Sequence, residues 1–130
     1  MSLKDLTKDS HTAAEATPFM KAVFDKTISK EAWADWTLQR SMFYFAIEGH
    51  AHRLGLLVDL PDIHRAARLR NDYEAMEIEC FPRDVTVEYI DYLDSFNENP
   101  TTAKNRILAH LYTWHMGDMF GGQMIKKIVP

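Results

Sequence analysis

At 130 residues, with a net charge of −4 and a pI near 5.8, the chain has single-domain length and lacks the basic balance of a general nucleic-acid binder. Its single cysteine, Cys80, excludes an intrachain disulfide and fits a reducing compartment. The longest unbroken apolar run, Met42 to Ile47, is too short to cross a bilayer, and the N-terminal MSLKDLTKDS has no apolar signal core, so the expected location is the cytoplasm.

In chain order, a first helix is predicted from about Leu3 to Ala16, where Thr17-Pro18 interrupts it. Lys4, Lys8, His11 and Glu15 fall on one stripe of that helix. A short helix from about Pro18 to Lys26 follows. Ser29 is a suitable N-cap for a long third helix, Lys30 to Leu57, apolar on most sides and therefore central. A fourth helix is expected from Pro61 to Met76 and a fifth from Thr86 to Phe96, separated by Phe81-Pro82. Asn99-Pro100 reads as an N-cap with proline at the first helical position, and the helical pattern runs on through Ile107, Leu111 and Trp114. No strand-like alternation, internal repeat or low-complexity segment occurs, so the fold class is all-α.

The chain has only five glycines, and Gly117, Gly121 and Gly122 crowd into the stretch YTWHMGDMFGGQMIKK. Each glycine costs a helix about 1 kcal/mol relative to alanine, so this clustering weakens an otherwise periodic segment. Gly117 and Gly121, four apart, leave a strip of bare backbone on one face, beside Asp118. Close helix packing or a helix break are ordinary uses of one such glycine. A strip kept clear for a flat ligand accounts for three of them and the acid together. His11 likewise has two readings, a polar surface histidine or an axial metal ligand. No histidine is preceded by glutamate at three residues, which counts against a carboxylate-bridged di-iron site; phosphate-loop, nucleophile-elbow and paired-cysteine patterns do not occur. Tyr44, Tyr112 and Asp118 form a candidate polar network in the helical core, with fold specificity or a ligand-side water site as its purpose.

Taken together, these residues resemble the haem oxygenase family. LKDLTKDSHTAAEATPFM is similar to that family's proximal-helix motif, with His11 at the axial histidine and Glu15 after it. MFYFAIEGHA is similar to the segment carrying a tyrosine and an acid, here Tyr44 and Glu48. LPDIHRAARL resembles the family's fourth-helix opening, and AHLYTWHMGDMFGGQMIKKI its distal signature, G-D-x-x-G-G-Q followed by two lysines. The four blocks occur in order across residues 1–130, which read as one domain.

The resemblance implies an all-α, haem-oxygenase-like bundle with haem between the His11 helix and a glycine-kinked distal helix. It implies His11 as the metal ligand, Glu15 beside it, and Lys4 and Lys8 near the haem propionates. Gly117, Gly121 and Gly122 are implied as backbone lying close over the porphyrin. Asp118, Tyr44 and Tyr112 are implied as the catalytic network holding ordered water above the iron. The implied reaction is oxidative cleavage of haem to biliverdin, carbon monoxide and ferrous iron, using dioxygen and electrons from a ferredoxin or another reductase. Arg65, Arg68 and Arg70 form a basic cluster that suits either an acidic donor or a solvated helix face. Two residues depart from the family pattern: His115 stands where an aromatic is common, and Phe120 replaces a small residue. Family members also continue past KKI with further helices, so a C-terminally truncated form of the fold is expected, as a fragment or a natural miniature. The alternative to the enzyme is a non-catalytic haem- or bilin-binding module that covers its apolar face by forming a homodimer.

Overall fold

The computed structural model describes residues 2–58, 61–96 and 99–118, apart from the side chain of Pro61. Phe120, Gly121, Gly122 and the two lysines of the distal signature lie outside the described residues. Four helices begin where the sequence supplies an acceptor for a free backbone N–H. Ser2 caps α1 (Leu3–Glu15) reciprocally: its Oγ accepts from the Asp5 N–H and Asp5 Oδ2 accepts from the Ser2 N–H, each at 3.2 Å. Thr17 caps α2 (Pro18–Phe24), and Ser29 caps α3 (Lys30–Arg53) by accepting from the Ala32 N–H at 3.0 Å. Asn99 caps α6 (Pro100–Leu111) by accepting from the Thr102 N–H at 3.1 Å. Pro18 and Pro100 occupy first-turn positions whose N–H would be unpaired anyway.

α3 ends at Arg53, four residues before the predicted Leu57. Gly55 takes φ +73°, and the Leu56 N–H reaches back to the Ala51 carbonyl at 2.9 Å while the Gly55 N–H meets His52 at 3.0 Å. This is a glycine C-cap, read at first as helix interior. The predicted fourth helix also divides, into a 3-10 turn (Pro61–Ile63) and α4 (Ala66–Ala75). Its start is set by another helix: Glu48 of α3 accepts the N–H groups of Arg65 (2.9 Å) and Ala66 (3.1 Å), a cap no local signal announces. α5 spans Asp84–Asp94, two residues ahead of its predicted position at both ends.

α3 is the axis of the bundle and packs against α4, α5 and α6. Tyr44, Ile47 and Ala51 of α3, Leu93 of α5, and Ala103 and Ile107 of α6 form the inner core. Each such buried Leu or Ile contributes about 1.5–3 kcal/mol relative to an exposed one. A second cluster joins Ala34 and Leu38 to Tyr73 of α4. The 76–83 connection is fastened to α3 through Gln39, whose amide donates to the Phe81 carbonyl (2.9 Å) and accepts from the Arg83 N–H (3.0 Å). α1 buries none of its residues and contributes nothing to either cluster. Among the described residues, no helix is long and apolar enough to cross a membrane.

Candidate functional site

After Leu111 the α6 pattern loosens into a π-helical segment, Tyr112–Met116, that leads to Gly117 and Asp118. A π turn inserts one extra residue and so re-aims the side chains beyond it, which is why such turns gather at functional sites. Here tertiary contacts hold it. Trp114 packs its ring 4.5 Å from Phe43 and donates from Nε1 to the Tyr89 hydroxyl at 3.0 Å. The Tyr89 hydroxyl also lies 2.6 Å from His110 Nδ1, and burial pushes the His110 pKa down.

The re-aimed residues are His115 and Asp118. Tyr44 is fully buried and points its one O–H at Asp118 Oδ2 (2.5 Å), with the Trp114 carbonyl at 2.9 Å. Burial first, and then the Asp118 charge, raise the Tyr44 pKa far above that of an ordinary phenol, so Tyr44 is a permanent donor. His115 is also fully buried: Nε2 lies 2.9 Å from Glu48 Oε2, and its ring meets Tyr44 edge-on with centroids 4.5 Å apart. Burial alone would raise the Glu48 pKa. The hydrogen bonds from His115, Arg65 and Ala66 outweigh it and hold the carboxyl below its ordinary value. One carboxylate thus joins α3, the start of α4 and the distal segment.

Gly117 has an ordinary helical φ of −59°, and a Cβ built on it meets no protein atom within 4 Å. Among the described residues, neither backbone strain nor close packing accounts for the glycine, and the space beside it is open. On α1, His11 is exposed and its Nδ1 sits 3.3 Å from Glu15 Oε1. Lys4 and Lys8 are exposed on the same stripe.

Of the residues singled out from sequence, Tyr44 and Asp118 are brought into direct contact. Tyr112 is 48% exposed and, among the described residues, hydrogen-bonds to neither of them. Two partners were not foreseen. His115, which departs from an aromatic, is the buried mate of Glu48. Arg40 of α3 lies with Nη1 3.9 Å from Asp118 Oδ2. Its i, i+4 spacing from Tyr44 was the signal that both flank one point.

The family profile described as Heme oxygenase matches residues 1–130. Among curated relatives, Heme oxygenase 1 of Gallus gallus is 32% identical, with 97% of this chain and 45% of the relative covered. Heme oxygenase of Rhodella violacea is 28% identical over 98% of this chain and 57% of its own, and Heme oxygenase 1 of Synechocystis is 26% identical over 97% and 55%. The chain therefore spans about half the length of these relatives. A match that runs from end to end, on an all-α bundle that joins the tyrosine of the second block to the aspartate of the fourth, places this chain in the haem oxygenase family.

Proposed function

We propose that this chain binds haem and opens it oxidatively, with Asp118 and Tyr44 as the chemical centre. The observation that carries the reading is the Tyr44–Asp118 contact beside Gly117, where a Cβ would meet none of the described residues. Bound haem supplies both the iron that activates dioxygen and the carbon skeleton that is opened, yielding biliverdin, carbon monoxide and ferrous iron.

In this reading His11 ligates the iron through Nε2, and Glu15 fixes the imidazole through Nδ1. Lys4 and Lys8 meet the propionates as flexible surface cations. Gly117 would let the distal backbone approach the ring closely, the role the family resemblance also implies for Gly121 and Gly122 outside the described residues. Tyr44, unable to ionise at working pH, donates to Asp118 and keeps that carboxylate turned inward to order water. Tyr112, half-exposed, takes no part in holding Asp118. A ferredoxin or another reductase supplies the electrons. A second reading, a non-turning-over module that pairs with a second copy, draws on Leu3 and Leu6, which are 51% and 65% exposed on a helix that buries nothing.

The test is a haemin titration of wild type and His11→Ala, followed by reductant under air. The proposal requires a Soret complex that depends on His11, then bilin absorbance and carbon monoxide release. Haem bound without either product rejects the enzyme and leaves the binding module, whose mark is a dimer in sedimentation. Haem affinity indifferent to His11→Ala rejects the ligand assignment.

A further inference from the structure

The reading above leaves one buried charge unused. The Arg40 side chain is 12% exposed, and its guanidinium lies over two tryptophan rings of its own helix, Trp33 at 5.3 Å and Trp36 at 5.5 Å. The two rings hold its plane in place. Among the described residues the carboxylate within ion-pairing distance is Asp118, at 3.9 Å, too long for a direct hydrogen bond. Arg40 Nε is buried with no acceptor. Desolvation presses the guanidinium's pKa down, Asp118 acts against that, and an arginine stays charged regardless.

An arginine in this slot is costly unless its donors are used. An apolar side chain of similar length would pack between the same tryptophans without that cost. What the guanidinium adds is a fixed charge and a fan of N–H groups beside Asp118. Arg40 and Tyr44 lie one turn apart on α3, and both address Oδ2 of the same carboxylate. A gap of 3.9 Å, with Nε lacking an acceptor, suits a contact completed by an oxygen atom of water or ligand.

Resting on the haem reading, we propose that Arg40 is a positioning residue of the Asp118 site. It holds Asp118 as an inward-facing carboxylate between itself and Tyr44, and it offers guanidinium N–H to oxygen atoms bound beside that carboxylate. Other charged groups that bear on Arg40 are Arg65 and Asp72, and Tyr44 packs one turn away from it. None of them supplies Arg40 with a direct hydrogen bond in this structure.

Two measurements decide it. In the ligand-free chain, a double-mutant cycle with Arg40→Met and Asp118→Asn is expected to show coupling of at least about threefold in the unfolding equilibrium constant. Methionine keeps the packing between the tryptophans, so a folded variant is expected. In the ferric haem complex, Arg40→Met is expected to raise the acid–alkaline transition by about half a pH unit or more, because a nearby cation favours the anionic form. Arg40→Lys, which keeps the charge, should recover most of that shift; a purely structural residue would give neither the direction nor the rescue. An additive cycle overturns the Asp118 contact. An unmoved transition in an intact haem complex overturns the reach to bound oxygen atoms. Wild type that forms no haem complex sinks the haem reading instead, and the ligand-free cycle alone then decides whether Arg40 sets Asp118.

Discussion

Replacing Glu48 should disturb three elements at once, and the size of the effect follows from its bonds. Its carboxylate accepts from His115 Nε2 at 2.9 Å, the Arg65 N–H at 2.9 Å and the Ala66 N–H at 3.1 Å, with the side chain 9% exposed. Glu48→Ala strands all three donors, and each buried donor left without a partner costs about 1–3 kcal/mol. Together that is a large share of a stability of about 5–15 kcal/mol, so the variant should be barely folded. Glu48→Gln keeps an acceptor for the α4 amides but not the charge that faces His115, and should cost about 1–2 kcal/mol. The pH dependence has a definite sign. Because the folded-state Glu48 pKa is lowered, its stabilisation is present above the unfolded carboxyl pKa and is lost as pH falls through the folded value. Urea unfolding followed by circular dichroism, from about pH 7 to about pH 3, should show wild type losing its advantage over Glu48→Gln below about pH 4. A wild-type advantage that stays constant across that range refutes the reasoning, as does a Glu48→Ala protein of nearly wild-type stability.

Further outcomes follow from single positions. Gly117→Ala should leave the ligand-free chain unchanged or stabilise it by up to about 1 kcal/mol, because the φ is helical and the added Cβ meets none of the described residues. The same variant should weaken haem binding in a Soret titration; a destabilised ligand-free chain would mean that the glycine serves the fold. Gly55→Ala should cost about 1–2 kcal/mol in thermal or urea unfolding, since φ +73° is left-handed and the added side chain meets only open space. Tyr89→Phe removes the hydroxyl between Trp114 and His110 and should cost about 1–2 kcal/mol, with a shift in tryptophan emission; an unchanged spectrum would show that the π segment does not depend on that bond.

The residues that organise the helices were legible because their physics is local. Ser29, Asn99, Pro18 and Pro100 act within one turn of themselves, and an apolar period needs no partner to be seen. The ingredients of the site were legible for a similar reason: Asp118 beside glycines, Tyr44 on the central helix, and His11 on a stripe are compositional oddities that four ordered motif blocks link. Their arrangement was not. Gly55 looked like helix interior because its left-handed turn depends on where the chain must go next. The start of α4 is set by Glu48, 17 residues earlier in sequence. The π segment exists because Trp114, His115 and Asp118 each find a partner on another helix, and no local propensity encodes that. Sequence by itself therefore determined which segments coil and which residues are candidates for chemistry, since those signals depend on neighbours within a turn. Only the tertiary structure decided that Tyr44, Arg40 and Asp118 share one point while Tyr112 faces outward, because burial and hydrogen bonding between distant segments are properties of the packed chain.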